Sequence, residues 1–453
     1  MSNEFDFDTK NGWTHYADAA SQEQMDVLAA RYMDFLSHAK TERETVDLVV
    51  EALKAAGFSE DFKKDLVFRT YRGKAVFVAR KGKKPLASGV RLISAHTDAP
   101  RLDFKQRPLQ EQVGIGQAKT HYYGGIKKYQ WGTIPLALHG VIIRADGSSV
   151  KVNIGEDESD PVFCVTDLLP HLAQDQMKRS AGEILKGEEL NILIGSRPFR
   201  DDDVSEKVKL NIMAILNEKY GITEDDFVSA ELEAVPAFKA KDIGFDRSMI
   251  GAYGHDDKVC AYTAFAALMD GNTVPEKTAV VVLTDKEETG SDGNTGLKSA
   301  YLKYFIHDLA ECFGEEGRAV LSKSECLSAD VNAAFDPTFP DVLEKRNSSF
   351  INYGVCVTKF TGARGKSGTS DASAEFVGRV RKLLDDNNVI WQTGELGKVD
   401  LGGGGTVAAY IANLNVDTID VGVPVLCMHA PFEIVSKVDV YMTYKAFYCF
   451  LYE

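Results

Sequence analysis

Signals for strands and helices alternate near both ends of this chain of 453 residues, but not in its middle. Thr41 and Glu44 form a capping box that predicts the start of an amphipathic helix, which Gly57 ends. The β-branched run Gly89–Ala95 predicts a strand that leads directly into His96. This alternation predicts an α/β domain, and open α/β sheets place their sites at the ends of strands.

The middle of the chain, residues 105–245, has a different pattern. Short alternating segments such as Gly140–Arg144 and Val150–Ile154 are separated there by glycine turns. A chain of this length exceeds what one hydrophobic core supports, so the simplest arrangement is one α/β domain, residues 1–104 and 246–453, interrupted by a β-rich insertion. The other elements predicted for the α/β domain are strands at 75–79, 278–284, 350–358, 389–391 and 418–423 and helices at 256–269, 370–384 and from about 436.

The charge balance argues against nucleic acid and membrane partners. With 67 acidic and 52 basic side chains the net charge is −15, which repels phosphate backbones and anionic lipid. No apolar run approaches about eighteen residues and the first residues are acidic, so neither a membrane span nor a signal peptide is expected. The cysteines are scattered without a C-x-x-C pair, which is typical of reduced thiols. These features predict a cytoplasmic protein.

Five residues of metal-ligand type lie at the ends of predicted strands or at the start of a helix. Taken singly, each has a structural explanation, because a histidine can be a hydrogen-bonded core residue and a carboxylate can cap a helix. A two-metal hydrolytic site needs one bridging carboxylate and about two further ligands for each ion, which five residues satisfy. They are His96, Asp256, Glu288, Asp330 and His429.

The paired glutamates Glu287 and Glu288 follow the apolar strand Ala279–Leu283 and precede a glycine-rich segment. Paired glutamates usually form a solvated face, but the end of a buried strand is poorly placed for that. Metal-assisted hydrolysis requires one carboxylate on the metal and one that takes a proton, which predicts Glu288 as ligand and Glu287 as general base. Asp98 lies two residues beyond His96, so strand alternation would point both side chains the same way and let Asp98 orient the imidazole.

Five short motifs occur in a specific order along the chain: His96-Thr-Asp-Ala-Pro, Asp256-Asp at a helix start, Asp285-Lys-Glu-Glu-Thr-Gly, Ser328-Ala-Asp and Met428-His. This order resembles the aspartyl aminopeptidase family of cocatalytic dinuclear-zinc aminopeptidases. The resemblance runs from about residue 29 to residue 452, and the ordered set is highly specific although each motif is short.

The resemblance implies roles for these residues. Asp256 would bridge two zinc ions, which cobalt or manganese can replace. His96 and Asp330 would complete one ion, and Glu288 and His429 the other. It also implies that Glu287 is the general base and that Asp98 is the partner of His96.

The family also implies a fold and an assembly. The fold is a phosphorylase/hydrolase-like three-layer α/β/α catalytic domain with an inserted β-rich dimerisation domain, which the change of pattern at residues 105–245 fits. Dimers of the family build a tetrahedral dodecamer that encloses the active sites. A homo-oligomer is therefore expected.

The expected reaction is hydrolysis of the first peptide bond of a peptide with a free N-terminus, by water that two zinc ions activate. Either Arg364 or Lys366 would hold an acidic N-terminal side chain, and His121 of the insertion would reach a neighbouring active site. Two alternatives stay open on the residues alone. One is a dinuclear carboxypeptidase or deacylase on the same scaffold, and the other is a non-catalytic peptide-binding scaffold.

Overall fold

The computed structural model describes residues 7, 9–200, 205–362 and 364–453. The chain forms two compact units. The first, here called the catalytic unit, comprises the described residues within 1–98, 240–428 and 432–453, and the second, the β-rich unit, comprises those within 99–239 and 429–431. None of the helices in these described ranges is long and apolar enough to cross a bilayer.

The helices of the described residues follow capping and periodicity signals. The capping box of Thr41 and Glu44 begins α3 as predicted, with both reciprocal hydrogen bonds present. The α-helices are α1 (Gly12–His15), α2 (Ala19–His38), α3 (Glu42–Ala55), α4 (Lys207–Tyr220), α5 (His255–Met269), α6 (Tyr301–Glu311), α7 (Gly317–Leu321), α8 (Ala374–Asp386), α9 (Ala408–Ala412) and α10 (Lys437–Tyr452).

The strands of the described residues form three sheets. They are β1 (Leu66–Tyr71), β2 (Ala75–Arg80), β3 (Arg91–His96), β4 (Arg101–Gln112), β5 (Ile115–Tyr123), β6 (Leu136–Ile143), β7 (Ser149–Ile154), β8 (Cys164–Val165), β9 (Ile192–Gly195), β10 (Ala230–Pro236), β11 (Lys241–Ile243), β12 (Met249–Ala252), β13 (Ala279–Thr284), β14 (Glu325–Ser328), β15 (Asn332–Ala333), β16 (Val355–Thr358), β17 (Trp391–Thr393), β18 (Asp417–Gly422), β19 (Pro424–Leu426) and β20 (Glu433–Ser436).

The catalytic unit is built on an eight-stranded sheet of order β1-β2-β13-β3-β14-β18-β16-β17. Its four central strands, β13, β3, β14 and β18, are mutually parallel, and the register of β13 on β3 pairs Thr284 with His96. Every residue of β13 is buried, as expected for a strand covered on both faces. The sheet therefore lies in the middle of the unit.

Helices cover both faces of this sheet. One face, which includes Val78 and Ile93, packs against α2, α3, α5, α8 and α10. The other face, which includes Phe77 and Leu92, packs against α6, α7 and α9. The predicted three-layer α/β/α fold is thus confirmed. Helix α5 is apolar on nearly every side because it lies in the larger of these two cores.

A second sheet of the catalytic unit has five strands in the order β11-β12-β20-β19-β15. Its strand β12 runs into α5, and the neighbouring strand β20 pairs with it in antiparallel register, with Ala252 opposite Glu433. This small sheet fixes the point at which α5 begins.

The β-rich unit contains a seven-stranded sheet of order β7-β6-β10-β4-β5-β9-β8. The alternating segments predicted near residues 140 and 150 form the antiparallel hairpin of β6 and β7. The apolar face of the sheet, which includes Leu138 and Val152, packs partly under α4. This unit is β-rich, as the sequence predicts for the insertion.

Several segments of the catalytic unit differ from the prediction. Helices α6, α7 and α9 and strands β1 and β14 have no counterpart among the predicted elements. The helix predicted at 370–384 begins at Ala374, and the strand predicted at 389–391 begins at Trp391. Helix α2 also has no counterpart among the predicted elements, although Asp18 caps it and its buried residues recur at helical spacing from Met25 to Leu36. The strand predicted at 350–358 is wrong in its first half, and only β16 is extended. The reason is that Asn352 and Gly354 have φ values of 78° and 82°, in the left-handed region that strands exclude.

Candidate metal centre

The candidate ligands of the catalytic unit follow neighbouring parallel strands. His96 is the last residue of β3, and Asp330 lies two residues beyond the end of β14. Glu287 and Glu288 form a short turn after β13. Because the carboxyl ends of parallel strands meet at one edge of a sheet, these side chains converge there.

Asp256 reaches the same edge from the start of α5. The backbone at Asp256 and Asp257 is not helical, and the peptide bond between them is cis. The backbone N–H of Asp256 donates to the Glu433 carboxylate at 3.0 Å. The start of α5 is therefore held by β20 as well as by the helix.

His255, the neighbour of Asp256, points away from this edge. Its Nε2–H donates to the carbonyl of Ile250 at 3.1 Å, and its Nδ1 accepts from the Tyr32 hydroxyl at 2.7 Å. Burial lowers the pKa of His255 to about 3, so the ring is neutral. Its role is to anchor the helix start in the core.

His96, Asp256 and Asp330 form a compact group. The Nε2 atom of His96 lies 3.1 Å from Oδ1 of Asp256 and 4.0 Å from Oδ1 of Asp330. One ligand-type atom from each of the three lies within 4.8 Å of the others. Glu287 Oε2 lies 3.9 Å from the same nitrogen. Three predicted ligands and the predicted general base therefore lie next to one another.

Asp98 connects two parts of the site. The Nδ1 atom of His96 donates to the backbone carbonyl of Asp98 at 3.1 Å and lies 3.3 Å from Oδ1 of its carboxylate. The two oxygens of that carboxylate accept the backbone N–H groups of Glu287 at 3.1 Å and Glu288 at 3.2 Å. Strand β3 ends at His96, so this proximity comes from the loop and not from strand alternation.

The electrostatics of the group favour a bound cation. Burial and the charge of Asp257 raise the pKa of Asp330 well above its usual value. Burial alone would lower the pKa of His96, but hydrogen bonds with Asp256 and Asp98 raise it well above its usual value. Buried carboxylates this close repel one another unless positive charge lies between them. Imidazole nitrogen and carboxylate oxygen are also the donors that zinc accepts.

Glu288 and His429 are the other two predicted ligands. A carboxylate oxygen of Glu288 lies within 4.8 Å of one of Asp256 in the catalytic unit. His429 belongs to the segment 429–431 of the β-rich unit, where its Nδ1–H donates to the carbonyl of Gly125 at 2.9 Å. In a neutral ring this hydrogen bond makes Nε2 the nitrogen that can accept a metal.

The predicted substrate residues differ in their exposure and in their side-chain contacts. Arg364 is exposed, whereas the Lys366 ammonium donates to Asp371 at 2.9 Å and lies 3.8 Å from the centre of the Phe360 ring. Arg364 and Lys366 line a surface cavity of about 210 Å³ in the catalytic unit. His121 is exposed near the end of β5 in the β-rich unit.

Sequence reasoning missed Glu433, whose carboxylate holds the Asp256 backbone. One signal was available, because Glu433 stands beside Phe432 and Ile434 in an otherwise apolar segment four residues after His429. A charged residue in such a segment is expected to have a partner when it is buried. The sequence does not say that the partner is the backbone of Asp256.

A parallel sheet whose carboxyl edge gathers a buried imidazole and several carboxylates is typical of a metal-dependent hydrolase of the α/β class. Residues 35–451 match the family described as aminopeptidase I zinc metalloprotease (M18). The chain belongs to this M18 family of zinc aminopeptidases. The resemblance noted in the sequence is therefore confirmed. The family establishes an aminopeptidase over the carboxypeptidase, deacylase and non-catalytic alternatives.

Relatives of known sequence agree over the full length. A probable M18 family aminopeptidase 1 of Clostridium acetobutylicum is 48% identical over 465 residues, which cover 100% of both chains. A probable M18 family aminopeptidase 1 of Thermotoga maritima is 47% identical over 449 residues, or 97% of each chain.

Solved structures show the same fold. An M18 aminopeptidase of Thermotoga maritima has a TM-score of 0.94 and 45% identity, over 99% of this chain and 100% of that one. A dodecamer of mApe1 from S. cerevisiae has a TM-score of 0.77 and 21% identity, over 94% of this chain and 97% of that one. At that identity the second likeness concerns the fold alone.

Proposed function

We propose that this aminopeptidase works with two zinc ions per chain, bridged by Asp256. His96 and Asp330 would hold one ion, and Glu288 and His429 would hold the other. The single observation that carries the proposal is the convergence of His96, Asp256 and Asp330 within 4.8 Å. The position of Glu288 beside Asp256 supports the second ion. Cobalt or manganese would occupy the same donors, since all of them are imidazole or carboxylate groups.

The bound ions would polarise the scissile carbonyl and lower the pKa of the attacking water. Glu287 would take up the proton of the attacking water and pass it to the leaving amine. Two contacts support this role for Glu287. Its backbone N–H donates to Oδ1 of Asp98 at 3.1 Å, and its Oε2 lies 3.9 Å from Nε2 of His96. The free amine of the peptide would be held by one zinc ion and by nearby carboxylates.

Replacement of Glu287 by glutamine tests these roles. The amide keeps the shape of the side chain but cannot take a proton, so turnover should fall about 10²- to 10⁴-fold while zinc content stays near that of the wild type. Turnover is measured on aminoacyl p-nitroanilides, and zinc by elemental analysis. The matched control Glu276→Gln alters a half-buried glutamate that pairs with Lys83. Normal turnover in Glu287→Gln would remove Glu287 from the base role.

A preference for acidic N-terminal residues rests on the cavity beside Arg364 and Lys366. Of the two, Arg364 is the better candidate, because Lys366 already pairs with Asp371. A screen of aminoacyl p-nitroanilides with zinc, cobalt and manganese tests it. Arg364→Met should lower kcat/KM for Asp and Glu substrates selectively, and an equal effect on Leu substrates would contradict the preference.

We further propose that the β-rich insertion at 105–245 dimerises, that dimers assemble into a cytoplasmic dodecamer, and that His121 reaches the active site of a neighbouring subunit. The support is one segment of the β-rich unit in which Leu168, Leu169, Leu172 and Met177 are 53%, 51%, 69% and 69% exposed. A structurally similar protein is a dodecamer. Sedimentation of the purified chain tests this, and a monomer at micromolar concentration would contradict it.

A further inference from the structure

Glu433 is a buried carboxylate on β20 that belongs to no proposed ligand set. It is 1% exposed, and one of its oxygens accepts the backbone N–H of Asp256 at 3.0 Å. Burying a carboxylate is costly unless it is hydrogen-bonded. This contact places that carboxylate directly behind the residue that is to bridge the two ions.

The start of α5 needs such a contact. The residue before the helix is Gly254, in the left-handed region with a φ of 76°, and it has no side chain that can cap the helix. Asp256 and Asp257 have non-helical backbone angles, so the first turn is not formed as in an ordinary helix. The first N–H groups of a helix require acceptors from outside. Glu433 supplies one to Asp256, and an ionised acceptor gives the stronger hydrogen bond.

Strand pairing holds Glu433 itself in place. Strand β20 pairs with β12, which leads into α5, and Glu433 stands opposite Ala252 in that register. Only a few residues of these two paired strands therefore separate Glu433 from Asp256. Asp256 could not move away from β20 without breaking its hydrogen bond with Glu433.

We propose that Glu433 is a positioning residue of the metal centre, which fixes the carboxylate of Asp256 by holding its backbone N–H. This inference rests on the proposed function, in which Asp256 is a zinc ligand. Residues that orient ligands typically change metal affinity about 10- to 100-fold when they are lost. A residue that only caps the helix would change stability and leave zinc affinity alone.

Two variants of Glu433 separate these roles. Glu433→Gln keeps an acceptor oxygen in the same place, and Glu433→Met fills the same space with at most a weak acceptor. Zinc affinity is measured on the full-length protein by competition with a chromogenic chelator. We expect Glu433→Met to bind zinc about 10- to 100-fold more weakly than the wild type and Glu433→Gln to stay within about threefold.

Asp439→Leu is the matched control. Asp439 is also a fully buried carboxylate of the catalytic unit, and it accepts the backbone N–H groups of Asn352 at 2.6 Å and Gly354 at 2.7 Å. Its loss should lower the melting temperature without changing zinc affinity. Wild-type zinc affinity in Glu433→Met, or an equal loss in Glu433→Gln or in Asp439→Leu, would overturn the inference. Less than one zinc per wild-type chain would instead contradict the proposed two-ion function.

Discussion

Two buried acidic clusters lie in the catalytic unit, and they balance their charge in different ways. The candidate metal centre brings Asp256 and Asp330 to the imidazole of His96, and the charge of the buried Asp257 acts on Asp330. The second cluster consists of Glu42 and Asp285 with Lys74 between them. Where the chain supplies an ammonium group between the carboxylates the cluster is structural, and where carboxylates gather around an imidazole the arrangement suits cations from solution.

The second cluster also borders the active-site loop. The Lys74 ammonium lies 3.1 Å from Glu42 Oε1 and 4.0 Å from Asp285 Oδ2. The Thr295 hydroxyl donates to Asp285 at 2.7 Å, which closes the loop that carries Glu287 and Glu288. Burial, with the charges of Glu42 and Asp98, raises the pKa of Asp285 to about 7. Lys74 thus supports a loop on which the chemistry depends.

The largest effect is expected in the metal centre. Asp256→Ala removes the carboxylate proposed to bridge both ions, so both should be lost together, and kcat/KM should fall more than about 1,000-fold because the ions supply several kcal/mol of stabilisation. Zinc per chain and turnover are measured on the same preparation. A full zinc load in this variant would remove Asp256 from the bridge and weaken the contrast between the two clusters.

A smaller effect is expected when the second cluster loses its own cation. Lys74→Met leaves two buried carboxylates without their shared ammonium group, which should reduce the free energy of unfolding by about 3–5 kcal/mol. Urea unfolding measures it. The control Lys83→Met removes an exposed lysine from its pair with Glu276 at 2.7 Å and should cost less than about 1 kcal/mol. Equal losses of unfolding free energy in the two variants would show that the buried ion pairs of Lys74 contribute no more to stability than the surface pair of Lys83 and Glu276.

The smallest effect is a change of pH dependence at Asp285. Its pKa of about 7 lies above the ordinary value of 3.8, so the native state binds the extra proton, and the stability of the wild type falls as pH rises from about 4 to 7. Asp285→Asn cannot ionise and removes this slope. Its stability relative to the wild type should rise by roughly 2 kcal/mol between pH 5 and pH 8. Urea unfolding at both pH values checks this, and an unchanged difference would assign Asp285 an ordinary pKa.

Local signals predicted those parts of the fold that local physics decides. The capping box of Thr41 and Glu44 predicted α3, and the β-branched run before His96 predicted β3, since hydrogen bonds and burial within a few residues settle both. Helix α2 was not predicted, although its N-cap Asp18 and its buried residues between Met25 and Leu36 carry a local signal of the same kind.

The candidate site also has a part that local signals predicted and a part that they did not. Residues with ligand chemistry at strand ends could be named from the sequence, and His96, Asp256 and Asp330 do lie together. The supporting contacts could not be named. Asp98 proved to hold the backbone of the Glu287 loop across the sheet edge, 189 residues away in sequence.

The sequence by itself determined the class of fold, the ligand types and the family, because these depend on residue identity and short-range pattern. Only the tertiary structure decided which backbone groups the buried acids hold: Asp98 the Glu287 loop, Glu433 the start of α5, and Asp439 the turn at Asn352. The physical reason is that a buried carboxylate must find donors, and strand pairing determines which donors lie within reach.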